Sequence, residues 1–125
     1  MDFPESDFDI LSLLFQGSDD AVVVCNAAGE IILFNGTASR VYGTLHSVQL
    51  QDCPEMFGMM LPNGSRVLRV EELPMFRALH GQEVRHFPIL LRTRNVPDRM
   101  VEVDAIPVKK DGEIIGAIVK SRHKR

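Results

Sequence analysis

Positive charge, cysteine and long apolar runs are all in short supply in this sequence, and each shortage excludes something. Lys and Arg total 14 against 17 Asp and Glu, a net charge of −3, so no general attraction to nucleic acid or to an anionic membrane surface is expected. No stretch approaches the roughly 18 consecutive apolar residues of a membrane-spanning helix. Met1-Asp2-Phe3-Pro4-Glu5 is acidic and lacks the basic-then-apolar pattern of a secretory leader. Two cysteines, Cys25 and Cys53, cannot build a disulfide framework, and nothing forces a bridge between them. The expected compartment is the cytoplasm. Also missing are a Ser/His/Asp arrangement with supporting motifs, a His/Cys cluster at metal-ligand spacing and a phosphate-binding glycine loop. The expectation is a domain that is not an enzyme and holds no metal.

What is present is enough for one domain with a real core, since the chain has 125 residues. It is organised around AVVVCNAAGEIILFNGTASRVYG, residues 21–43. The apolar runs Ala21–Cys25 and Ile31–Phe34 flank a polar connection with Gly29, the pattern of a β-hairpin. Asn35-Gly36-Thr37 offers helix-start chemistry, and Ala38–Tyr42 predicts a short helix stopped by Gly43.

On the N-terminal side, Phe8, Leu11, Leu14 and Phe15 fall at helical spacing, with Ser6 or Asp7 at the N-cap. A helix this short needs a docking partner. Its stripe is expected to pack on the protein's own sheet or on the same helix of a second copy. Downstream, residues 44–72 are irregular and rich in methionine, which suits either a pliable cavity wall or a plugged core. Glu71-Glu72-Leu73-Pro74 predicts a helix start, running through His80 to a stop at Gly81.

Three strands then follow: Val84–Thr93, Met100–Val108 and Ile114–Val119. The last two are joined at Asp111-Gly112, a strong hairpin signal. The first and last strands are apolar on both faces, as central strands are, whereas the others carry a polar face or Pro88. The simplest arrangement is a five-stranded antiparallel sheet with the first and last strands adjacent at its centre and helices on one face, an α+β fold.

The sequence resembles a PAS sensor domain, from AVVVCNAAGEIILFN through VYG and LPNGSRVLRVEELPMFRALHGQEV to IPVKKDGEIIGAIV. The resemblance implies the same sheet order, a pocket between sheet and helices, and organisation into an N-terminal helix for capping or dimerisation (residues 1–18), a PAS domain (19–120) and a basic tail or linker start (121–125). It further implies a sensory input module, regulating a fused or partner effector such as a histidine kinase, cyclase or transcription regulator, commonly as a homodimer. Two features depart from the family pattern. The last strand leads into Lys120-Ser121-Arg122-His123-Lys124-Arg125 where an Asp-(Ile/Val)-Thr-like triplet is frequent. The turn between the third and fourth strands carries Val96-Pro97-Asp98 where Asp-Gly is frequent.

The expected lining of the pocket is Cys25, Phe34, Tyr42, Met56, Phe57, Phe76, Leu79, Phe87 and Ile89, taken from the sheet face and the helical wall. Tyr42, the only tyrosine, would place a hydroxyl near the cavity or at its rim. Which ligand the pocket takes is open, and haem and flavin have no specific motif. Haem would need an axial ligand, for which His80 and His46 are the candidates, although His80 also reads as an ordinary helix-end histidine. Leu50-Gln51-Asp52-Cys53-Pro54-Glu55 does not match the reactive-cysteine motif of light-sensing relatives, so Cys53 is expected to be an ordinary thiol. A ligand-free dimerisation module is the alternative function, and a haem- or flavin-based redox or gas sensor the second alternative.

Overall fold

The chain crosses itself early: β1 (Ala21–Asn26) and β2 (Ile31–Phe34) form an antiparallel hairpin, and β1 then takes the last strand of the chain as its other neighbour. These relations come from a computed structural model that describes residues 19–124. The expected N-terminal helix with Phe8, Leu11, Leu14 and Phe15 lies outside the described residues. In the hairpin loop Gly29 takes φ 83°, which glycine adopts without a Cβ clash, and Asn26 Oδ1 accepts from the N–H groups of Ala28 and Glu30 at 3.0 Å each.

Asn35 ties the hairpin to the helix that follows, α1 (Gly36–Tyr42). Its Oδ1 accepts from Ala38 N at 2.9 Å as an N-cap and from Val22 N at 3.0 Å, while its Nδ2 donates to Asp20 O at 2.8 Å. One side chain thereby fixes the helix start against β1. A 3₁₀ turn (Leu50–Asp52), the short helix α2 (Cys53–Met56) and a two-residue strand β3 (Met59–Met60) come next.

Glu71 and Glu72 do not open the next helix, as the sequence pattern suggested. They belong to a separate 3₁₀ turn (Val70–Glu72), and extended Leu73 lets Pro74 start α3 (Pro74–Leu79). Glu72 instead forms a bidentate pair with Arg66 at 2.7 and 3.0 Å and accepts from Arg69 N at 2.8 Å. These bonds hold its carboxyl down at about 2, the Arg66 contact being the larger cause.

Long strands complete the sheet: β4 (Val84–Leu91), β5 (Arg99–Lys110) and β6 (Glu113–His123). Asp111 and Gly112, with φ of 52° and 81°, turn β5 into β6 as a two-residue hairpin loop of this kind requires. The order across the sheet is β2-β1-β6-β5-β4-β3. The first and last strands are adjacent in its interior, as their two apolar faces required. Among the described residues there are six strands and not five, because Met59 and Met60 pair with Leu91 and Leu90 at the edge, a segment too short to show alternation.

The basic stretch expected as a tail is also corrected. β6 continues to His123, with Ser121 paired between Ala21 and Val103 and Arg122 opposite Glu102.

The main core lies between the helices and one sheet face. It joins Val23, Cys25, Ile89, Val101, Val103 and Val119 to Ala38, Cys53, Phe57, Met75 and Ala78. On the opposite face Val24 and Ile115 are buried against Ile32, Leu33, Val108 and Ile118.

Candidate functional site

Within the main core two small cavities, about 40 Å³ each, share six wall residues: Tyr42, Cys53, Met59, Met75, Val119 and Ser121. Leu50, Leu73, Pro74, Ile89 and Val103 complete the first. Val23, Ile31, Leu45 and Phe57 complete the second. α1 delivers Tyr42 from its last position, α2 delivers Cys53 from its first, and β6 delivers Val119 and Ser121 as alternate inward-facing residues.

The polar content of the walls is small and paired. Tyr42 O–H donates to Ser121 Oγ at 2.7 Å, and Ser121, at 4% exposure, is the only polar residue in the buried set of described residues. The tyrosine ring is half-buried with its hydroxyl end inside; burial raises its pKa above the ordinary value, with the Ser121 contact and the Arg99 charge opposing. Cys53 Sγ donates to Gln49 O at 3.4 Å. Its thiol is pushed up to about 12, by burial first and then by the neighbouring charge of Asp52. Cys25 is likewise pushed up to about 11 by burial. Both are neutral, weakly nucleophilic thiols at physiological pH.

Of the expected lining, Tyr42, Phe57 and Ile89 meet at the cavities. The other six do not. Cys25 is fully buried in the core but lines neither cavity. Phe34 sits at the core's edge, its ring edge-on to His46 at 5.0 Å. Met56 points outward at 53% exposure and lines an open groove of about 550 Å³ between residues 51–56 and 67–70. Phe76 and Leu79 are half-buried on α3 because Met75 and Ala78 take its inward positions. Phe87 is half-buried, with the Arg77 guanidinium 5.7 Å above its ring.

Met59, Met75, Cys53 and Ser121 line both cavities and were not among the expected residues. The signal for Ser121 was available as the in-out alternation Val119-Lys120-Ser121-Arg122, hidden by the charged neighbours.

The residues present do not fit haem. His80 Nδ1–H donates to Phe76 O at 2.8 Å and its ring stacks on Phe76 at 4.1 Å. His46 is exposed against Phe34, and neither histidine lines a cavity. Each cavity is also far below the roughly 300 Å³ at which cofactor and drug-sized ligand pockets begin, so a flavin ring does not fit this packing either. Among the described residues no group of three or more His, Cys, Asp or Glu could hold a metal ion, and no helix is long and apolar enough to cross a membrane.

Residues 19–121 match the model of the PAS domain family. The chain belongs to that family. No curated protein matches the sequence. Among solved structures, this PAS domain is similar to that of an HTR-like protein from Haloarcula marismortui, at 20% identity and TM-score 0.61, covering 96% of this chain and 93% of that one. It is similar to a domain of the sensory box sensor histidine kinase/response regulator from Geobacter sulfurreducens, at 18% identity and TM-score 0.62, covering 93% of each. The Rhodobacter sphaeroides LOV protein aligns at 10% identity and TM-score 0.68, over 97% of this chain and 68% of that one. At such identities the likeness is one of fold.

On the outer face of the PAS sheet, the end of β6 is clamped. Arg122 donates to Glu102 at 2.6 Å and to Asp104 at 3.1 Å. His86, at a bulge in β4 with φ 55°, donates its ring Nδ1–H to Glu102 at 2.7 Å and its backbone N–H to Asp104 at 2.8 Å. The hydrogen bonds from His86 and Arg122 hold Glu102 below the usual carboxylate range. In Asp104 the same partners outweigh the opposing effect of burial and lower the pKa as well. Consecutive residues Ser121 and Arg122 therefore pin the strand end from its two faces.

Proposed function

We propose that this PAS domain is a signal-transduction input module. It takes a small ligand in its core, pairs with a second copy, and regulates a fused or partner effector such as a histidine kinase, cyclase or transcription regulator. It performs no catalysis of its own and works in the cytoplasm. The observation that carries this reading is the Tyr42–Ser121 hydrogen bond. It joins the helical wall of the cavities to the strand that leads out of the domain, so a change at one reaches the other. Native mass spectrometry of the protein purified from its own host tests the reading. A dimer mass with a retained small molecule supports it, and a bare monomer contradicts it.

A ligand-free dimerisation module is the second reading, favoured by the small size of the cavities. It requires residues 1–18 to supply the dimer contact. Their removal is then expected to give a monomer with the sheet still folded, and an unchanged dimer would refute it.

A further inference from the structure

We infer that the ligand this core admits is small, uncharged and mostly apolar, with one hydrogen-bond acceptor such as a carbonyl or ether oxygen, and that Ser121 is the residue that holds it. The inference rests on the reading of the domain as a ligand-binding input module.

Charge is excluded by the walls. None of the residues lining either cavity carries an ionised side chain, and the thiol of Cys53 is neutral. A carboxylate, phosphate or ammonium placed there would lose its hydration without gaining a counter-charge. Arg99, whose charge acts on Tyr42, gives Nη1 to Val41 O at 3.1 Å and keeps a buried Nε without a partner among the described residues, but it lines neither cavity.

The polarity of the single contact follows from the donor inventory. Tyr42 spends its O–H proton on Ser121, and Cys53 spends its S–H on Gln49 O. A hydroxyl offers one donor and two acceptor sites. Ser121 Oγ receives the tyrosine proton, and its own O–H meets no acceptor among the described residues. Among the residues lining the two cavities it is the one donor left to a guest, so the guest must bring an acceptor.

Size follows from the methionines. Met59 and Met75 belong to the walls of both cavities. Unbranched thioether side chains change rotamer at little cost, and their displacement merges the two spaces into one site for a molecule of a handful of non-hydrogen atoms.

The experiment uses the full chain with methyl-¹³C methionine, following Met59 and Met75 while cyclopentanone, cyclopentane and butyrate are titrated separately. The ketone is expected to shift both signals and to bind about tenfold more tightly than the alkane, the worth of one hydrogen bond, while butyrate shifts neither. Ser121→Ala is expected to reduce the ketone to the affinity of the alkane. Ser121→Thr, which keeps the hydroxyl at the same strand position, is expected to preserve the preference and guards against a folding defect in the first variant. Equal binding of ketone and alkane, tight binding of butyrate, or an undiminished ketone preference in Ser121→Ala would overturn the assignment while leaving a ligand-binding core. Silence from all three probes would overturn the input-module reading together with it.

Discussion

The hydroxyl of Tyr42, at the last position of α1, donates across the core to Ser121 Oγ on β6 at 2.7 Å, linking residues 79 positions apart. The contact is the only side-chain hydrogen bond among the described residues that joins the helical wall to the inward face of the last strand.

Its energetic weight is testable by a double-mutant cycle. Tyr42→Phe removes one donor and is expected to cost about 1 kcal/mol in urea unfolding. Ser121→Ala leaves a buried phenol without its acceptor and is expected to cost about 1–2 kcal/mol. The double variant should fall short of the sum by about 1 kcal/mol. Strict additivity would show that the two hydroxyls do not interact in solution.

Because Tyr42 is the only tyrosine and tryptophan is absent, its ionisation can be read directly from the phenolate absorption band. Burial raises its pKa above 10.0. A group whose folded pKa is raised contributes stability that is complete below the unfolded value and lost as pH rises through the folded one. The native band is therefore expected to emerge at higher pH than in the urea-unfolded chain. Coincident titrations would contradict the buried placement of the hydroxyl.

Acid acts elsewhere. Glu72 is held down at about 2 against an ordinary 4.5 by Arg66 and the Arg69 N–H. A depressed carboxyl contributes stability present above the unfolded pKa and lost as pH falls toward the folded one. Between about pH 4.5 and 2 the wild type is expected to lose this contribution, while Glu72→Gln loses nothing there from this site. Because the pair is partly exposed, the difference should shrink in high salt. Identical acid profiles for the two proteins would remove the pair from the account.

Gly58 sets the approach of α2 to the sheet edge. It takes φ 61°, and its carbonyl accepts from Arg92 N at 2.8 Å. A Cβ there would lie 1.9 Å from Arg92 O. Gly58→Ala is expected to cost at least about 2 kcal/mol through left-handed strain and the backbone clash. Gly112→Asn, with open space around it, should be nearly neutral because asparagine tolerates this conformation. Equal thermal stability of the two variants would contradict the close packing at Gly58.

The hairpins and the adjacency of the first and last strands in the interior of the sheet were legible because each rests on local pattern. β1 and β6 are apolar on both faces, Asp111-Gly112 has one turn to make, and Asn35 is a helix cap by chemistry. Helix α3 was placed correctly, yet its glutamates were not, since the Arg66 partner of Glu72 is supplied by a loop whose path leaves no periodicity. The cavity walls were largely illegible. Burial on so short a helix depends on its rotation against the sheet, which turns Met75 inward and leaves Phe76 at the edge. Ser121 was obscured by Lys120, Arg122 and Lys124, whose charges suggested a solvated tail. Two of these, Lys120 and Arg122, are the outward half of an alternating strand.

Hydrogen exchange at the end of β6 tests most directly whether the helical wall and the last strand are coupled through Tyr42 and Ser121. Tyr42→Phe is expected to speed exchange at the amides of residues 120–123 well beyond the change at β4 and β5, because one of the two side-chain clamps on the strand end is gone. Acceleration spread evenly over the sheet, or none at residues 120–123, would contradict the account.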